Sequence, residues 1–267
     1  MDAWTILLPA LAMSTLMLIS HTYLGLHVLA RGIIFIDLAL AQIAALGMSI
    51  AFLLGEEAHG LTAQLYAFAA TLIAAFAFAS LRRIKGKTTR EVIIGCSYIV
   101  TTALSIMILS QTAQGMEELK SLFNGKILFA SWDEIGFVAI IYLLLTILHW
   151  IYRKQFIALS FNSKQSTPGF LWEVLFFVSF AIVITLAVNI AGILLVFACL
   201  IIPAFSATLL SNTLASRLII GWILGFFATL GGLWLSYTSD LPTGATVVIM
   251  FGILPVVSLI IKKFQNT

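Results

Sequence analysis

Charge is what this sequence has least of. Only 9% of its 267 residues are charged, while 61% are hydrophobic. Soluble domains carry roughly 25% charged residues, so the chain lacks the polar surface of a water-soluble body. The mean hydropathy is +1.11. A membrane helix takes about 20 apolar residues, and eight or nine of them use most of the length. No room is left for a separate soluble catalytic domain, which excludes most enzymes. The two cysteines, Cys96 and Cys199, both lie inside apolar stretches. They read as buried thiols, and no disulfide framework is implied. The net charge is +3, but the basic residues are scattered between apolar runs. They read as membrane-orientation signals and not as a phosphate-binding patch.

Nucleotide and nucleophile motifs are also missing. Gly86-Lys87-Thr88 has the tail of a phosphate loop, but Leu81 stands where the loop's first glycine is required. There is no Gly-x-Ser-x-Gly turn and no His-Glu-x-x-His helix. The chain is therefore expected to be no enzyme and to bind no ATP or other cofactor itself. The start, Met1-Asp2-Ala3-Trp4, lacks the cationic segment of a cleaved signal peptide, so the first apolar run is expected to be retained. No fixed-period repeat or low-complexity segment interrupts the chain, which reads as one membrane domain over residues 1–267.

What is present is a series of long, continuous apolar runs. They predict helices, since barrel strands would alternate with period two. Spans are expected near residues 4–29, 32–54, 61–81, 91–111, 135–152, 169–189, 191–210, 216–237 and 245–261. The fold class is thus all-α, a polytopic bundle of eight or nine membrane helices. The seventh run is ambiguous because Pro203 sits in its middle, where proline removes a backbone hydrogen bond and tends to break a helix. It can be a kinked span, or a short descent followed by a separate helix on the cytoplasmic face. Arg82, Arg83, Lys85, Lys87 and Arg90 crowd one connection; Arg153 and Lys154 another; Lys262 and Lys263 close the chain. The connections 55–60 and 239–244 carry no lysine or arginine. The positive-inside rule then puts the C-terminus in the cytoplasm and the N-terminus outside, in a multi-pass protein of the cytoplasmic membrane.

Ionisable groups within such runs are functional candidates. Asp37 either lines a polar path for a cation or holds the bundle by accepting hydrogen bonds from a neighbouring helix. Glu173 follows Ser166-Thr167-Pro168 and fits a helix start. His21 and His27 are about 120° apart on one helix and cannot chelate one ion together. His149, next to Trp150, reads as interfacial. Glu56, Glu57 and His59 share a short outer loop; two carboxylates and an imidazole attract a divalent cation, and an ordinary solvated acidic loop has the same look. None has the spacing of a strong metal signature. Two further segments look shaped. One runs from Gly192 through Pro203 to Leu210, an apolar stretch, a proline, then small residues that permit close approach to a partner. The other is the outer turn Asp240-Leu241-Pro242-Thr243-Gly244. Between them Gly221, Gly225, Gly231 and Gly232 suit close helix packing.

Taken together these segments resemble the membrane subunit of the zinc/manganese-type ABC transporter permease family. The likeness is strongest from Gly192 to Gly252, with its proline followed by an Ala/Thr-rich helix, its glycine-rich span and its Pro-x-Gly-Ala-Thr turn. Further similar pieces are Gly25 to Arg31, Thr89 to Gly95 and Glu118 to Gly125. The resemblance implies a homodimeric permease that imports a divalent metal cation, zinc or manganese foremost. Its partners would be two cytoplasmic ATPase subunits, which hold the ATP, and an extracytoplasmic metal-binding protein. By the same resemblance Pro203, Ala204, Phe205, Ser206, Ala207, Thr208, Leu209 and Leu210 would form the ATPase-coupling helix. One departure matters. The family's second span carries Gly-Asp-x-x-x-His. Aligned on the leucine-alanine step and Gly47, Asp37 takes the glycine position here, and Leu38 and Gln42 replace the ligands. Aligned on Asp37 itself, Ala41 stands where the histidine belongs, so the histidine is missing either way. Asp37 and Gln42 are about 140° apart and do not restore the pair. They remain the candidate path residues, and the departure motivates a second reading within transport, a relative that carries another cation or a metal chelate. A secondary transporter is a further alternative, but such proteins show inverted repeats and buried carboxylate relays.

Overall fold

The computed structural model describes residues 3–57, 60–84, 86–112, 114–161 and 168–265. They form ten α-helices: α1 (Ala3–Arg31), α2 (Ile36–Leu53), α3 (Leu61–Ser80), α4 (Lys87–Leu109), α5 (Gly115–Asn124), α6 (Trp132–Ile151), α7 (Arg153–Phe161), α8 (Phe170–Leu210), α9 (Leu214–Ser239) and α10 (Thr243–Gln265). No strand occurs among the described residues. Helices are what a chain must form where no water can satisfy its backbone. Eight of them, all but α5 and α7, are long and apolar enough to cross a membrane. Seven of the nine expected spans coincide with one of these helices each, to within a few residues at each end, and the runs 169–189 and 191–210 share α8. The 112–134 connection is more structured than the sequence reading allowed, since it contains α5. So is the segment after Arg153, which forms α7.

The α8 helix corrects the reading of Pro203. At 41 residues it would be about 62 Å long if straight, twice the roughly 30 Å hydrocarbon core. Its one non-helical residue is Gly192, at φ 77° and ψ 161°, a conformation that suits glycine and strains other residues. Each half is long enough for one crossing. The break therefore falls at Gly192, and the helix runs on through Pro203. A proline in a membrane helix costs one hydrogen bond, which neighbouring groups can replace; a glycine at positive φ interrupts the helix outright.

The residues cluster into two units. The first comprises residues 1–29, 124–144 and 190–267. Here α9 packs against α10, and glycines set the spacing. A Cβ on Gly25 would lie 2.0 Å from the Leu200 carbonyl oxygen, and one on Gly232 would lie 2.7 Å from Cα of Val247. Gly221 and Gly225 sit equally tightly on Thr22 and Leu18. The glycine series of α9 thus serves close packing within the chain, as its spacing implied.

The second unit comprises residues 30–123 and 145–189. In it α2 packs against both α3 and α4, with Gly47 closely apposed to the α3 backbone at Tyr66 and Ala67. His149, expected at the interface, is buried instead. Its Nε2 lies 2.8 Å from the Ser179 hydroxyl, and its ring stacks on Phe156 at 3.9 Å. The two cysteines also part company: Cys199 is buried, but Cys96 is exposed, on the outward face of α4.

Candidate translocation site

Asp37 lies in the first turn of α2, where the helix dipole favours a carboxylate. It is completely buried, and among the described residues neither of its oxygens has a hydrogen-bond partner. A buried carboxyl group without partners is costly, so the reading in which Asp37 knits the bundle by hydrogen bonds loses its support. Gln42 is buried as well, with its Nε2 unpartnered. Five residues apart, the two occupy different faces of α2 and do not form one site.

Around the start of α2 the unit is held by polar contacts. Arg31, at the end of α1, donates to the Glu173 carboxylate in the first turn of α8. The Phe35 backbone N–H donates to Oε1 of Glu91 at 3.0 Å, and Arg82 donates to the Pro168 carbonyl at 2.6 Å. Glu173 therefore has the helix-start placement expected of it, and in addition a cationic partner that the sequence did not reveal.

Pro203 to Leu210 form the last turns of α8. Pro203, Ala204, Ser206 and Ala207 face inward and are buried, while Phe205 is 40% exposed. The chain then leaves α8 in a short link. The Arg217 side chain donates to the Ser211 carbonyl at 2.8 Å, and the Thr213 hydroxyl caps α9 by accepting from the Ser216 N–H at 3.3 Å. The segment thus presents one aromatic side chain outward from an otherwise inward-facing end.

The other shaped segments meet one another. Asp240 ends α9 in the left-handed region, at φ 51°. The Leu241 N–H returns to the Ser236 carbonyl at 3.1 Å, and the Ser236 hydroxyl lies 2.8 Å from that of Thr243. Pro242 is exposed, and its carbonyl accepts from the Thr246 N–H at 3.0 Å. Gly244 is pressed against Asn124, where a Cβ would lie 2.5 Å from the carbonyl oxygen. Gly125 is pressed against Ala191 at the α8 break, and the Lys126 N–H donates to the Ile190 carbonyl at 2.7 Å. Three motifs far apart in sequence, ending in Gly125, Gly192 and Gly244, therefore form one junction. The positive-inside rule assigns two of these connections to the outer side, and the α8 break meets both of them.

Glu56 and Glu57 are exposed between α2 and α3, and His59 lies outside the described residues. Among the described residues no three His, Cys, Asp or Glu side chains gather into a metal-binding group.

Comparison with known proteins agrees with this architecture. The sequence model of a family described as "ABC 3 transport family" matches residues 3–262. A Haemophilus influenzae protein named "Probable iron transport system membrane protein" is 27% identical over 247 residues, 91% of this chain and 85% of the relative. The Listeria monocytogenes "Manganese transport system membrane protein MntC" is 24% identical over 267 residues, 98% of this chain and 93% of that one. Among solved structures, "PsaBC from Streptococcus pneumoniae in complex with Fab" superposes with a TM-score of 0.74 at 22% identity, covering 95% of this chain and 90% of that chain. At that identity it is the fold that is shared.

Proposed function

The chain belongs to the ABC 3 transport family, and from that premise we propose that it is the permease of an ATP-driven importer carrying a divalent transition metal, manganese or zinc foremost, across the cytoplasmic membrane. The match to a transport family over residues 3–262 carries this reading. Relatives named for manganese and iron transport support the cargo class; zinc rests on the resemblance of the motifs. Energy comes from separate ATPase subunits that hold the ATP, and cargo from a separate extracytoplasmic binding protein. Two copies of the chain pair around the path. The lysine and arginine distribution puts the C-terminus and the Pro203–Leu210 end of α8 on the ATPase side.

Within the chain, Asp37 supplies a carboxylate at membrane depth, the group best able to stabilise a partly dehydrated cation there. The exposed Glu56 and Glu57 gather cations at the outer entrance, together with His59. The absence of the Asp/His pair, with Leu38 and Gln42 in its place, favours a second reading in which the cargo is another metal or a chelated one. Accumulation of Zn, Mn, Fe and Co in cells lacking the protein, measured by mass spectrometry, separates the two. Selective loss of Mn or Zn supports the first reading; a loss seen only when a metal chelate is supplied supports the second. Unchanged levels of every metal, together with failure of any ATPase subunit to co-purify, would reject the importer altogether.

A further inference from the structure

Arg31, Arg82 and Arg90 come from three separate helix ends, and as sequence they signal membrane orientation and nothing more. The fold gathers them. Arg31 closes α1, Arg82 lies in the short helical turn Leu81–Arg83 that follows α3, and Arg90 sits in the first turn of α4. Arg82 and Arg90 are both near enough to repel the Arg31 guanidinium. Lys87 joins them, its side chain lying over Gly32, where a Cβ would be 3.6 Å from the lysine Cδ. Arg83 and Lys87 are exposed, and Arg82 and Arg90 are half-buried, so the cluster opens to the surface.

Two carboxylates answer these five cations. Glu173 takes Arg31, and Glu91 accepts the backbone N–H groups of Ile34 and Phe35. Five cations against two carboxylates leave a surplus of three positive charges. Nη1 of Arg31 and Nε of Arg90 are buried with no hydrogen-bond partner among the described residues. The second Glu91 oxygen has none either, so neither guanidinium bonds to it. Unpartnered charged donors are costly, and the mutual repulsion adds to that cost. The start of α4 points the same way. Its first turn holds no acidic residue and carries Lys87 and Arg90 instead, at the positive end of the helix dipole. Gly86 offers no side chain to cap the first N–H groups. Every donor here suits one kind of ligand, an anion with several acceptor oxygens.

The setting decides which anion. The positive-inside rule puts this end at the inner membrane surface, where basic clusters between membrane helices hold phospholipid headgroups. An apolar column continues from the cations into the membrane. Phe35 lies against Gly95 of α4, and Val92 and Ile99 stand about one helical turn to either side of that glycine. Phe35, Val92 and Ile99 are all exposed, and Val92 is only two residues from Arg90. A free phosphate uses the cations alone; a lipid uses the column as well. We propose that Arg82, Lys87 and Arg90, beside Arg31, bind the phosphate of an anionic phospholipid of the inner leaflet, with an acyl chain along Phe35, Val92 and Ile99. The site depends on the membrane orientation and is independent of the cargo.

The test titrates the full-length chain, purified in neutral detergent, with phosphatidylglycerol, phosphatidylcholine or inorganic phosphate. Native mass spectrometry reads retention and thermal melting reads stability. Phosphatidylglycerol should be retained and should raise the melting temperature, while the other two should do neither. Lys87→Gln combined with Arg90→Gln should weaken phosphatidylglycerol binding about thirtyfold, the scale of two basic contacts at a membrane surface. Its lipid-free melting temperature should match or exceed that of wild type, because like charges are removed. Lys262→Gln combined with Lys263→Gln removes the same charge elsewhere and should leave binding unchanged. Undiminished binding in the first double variant, or an equal loss in both, overturns the site. A full effect from inorganic phosphate overturns the lipid as its occupant, and so does displacement of the lipid when ATPase subunits assemble on the chain.

Discussion

Arg31 and Glu173 form a buried ion pair that ties the end of α1 to the beginning of α8, across 142 residues of sequence. The two side chains are only 8% and 6% exposed. The guanidinium also lies over two aromatic rings, 4.9 Å from the Phe176 centroid and 5.0 Å from that of Phe177. Desolvation makes such a pair a weak source of net stability but a severe one to break. Glu173→Ala, which strands the cation, should cost about 3–5 kcal/mol. The double variant Arg31→Met, Glu173→Leu should recover most of that loss. Thermal melting of the purified protein in detergent decides it; a double variant as unstable as Glu173→Ala would show that the charges themselves hold the fold.

Asp37 presents the opposite case, a buried carboxyl group with no partner among the described residues. Removing its charge breaks no contact and relieves a desolvation cost. Asp37→Asn should therefore leave the melting temperature unchanged or raise it, while metal uptake by the assembled importer falls by about tenfold or more. If stability and uptake drop together, the side chain is structural and the path runs elsewhere.

The helices were legible in the sequence because their apolar runs exceed the thickness of a bilayer, and little else folds a segment of that kind. The internal break was not. Pro203 is the conspicuous breaker by composition, whereas Gly192 is silent inside an apolar run until its positive φ is seen. Long-range polar partners were equally hidden. Glu173 is read from its neighbours as a helix-start acid, and nothing local names Arg31 as its partner. His149 stands beside Trp150 and so looks interfacial, yet Phe156 and Ser179 enclose it. At the site, Asp37 stood out as a charge in an apolar run.

Glycines that look alike in the sequence differ sharply in what surrounds them. A Cβ on Gly25 would meet the Leu200 carbonyl oxygen at 2.0 Å, while at Gly252 nothing lies within 4 Å. Gly25→Ala must push α1 and α8 apart and should cost ~1–3 kcal/mol, the usual scale of overpacking. Gly252→Ala, on the exposed side of α10, should instead gain up to about 1 kcal/mol from helix propensity. The two melting curves should move in opposite directions, and a Gly25→Ala protein of wild-type stability would mean that the helix contact is slack.

The end of α8 offers the last test, because burial there dictates which residue to change. Ala204 and Ala207 are completely buried; a bulky or charged replacement at either would damage packing and confuse folding with coupling. Phe205 is 40% exposed and points away from the same two turns. If this end of the helix seats in a groove on the ATPase, Phe205 is its aromatic anchor, the kind of side chain that dominates such interfaces. Phe205→Ala should leave the melting temperature within about 0.5 kcal/mol of wild type, as exposed substitutions do. ATP hydrolysis should persist in the reconstituted importer while metal uptake falls, which is the signature of lost coupling. Uptake and hydrolysis both at wild-type levels would show that the ATPase grips the chain elsewhere, with Arg217 and the Ser211–Thr213 link the next surface to examine.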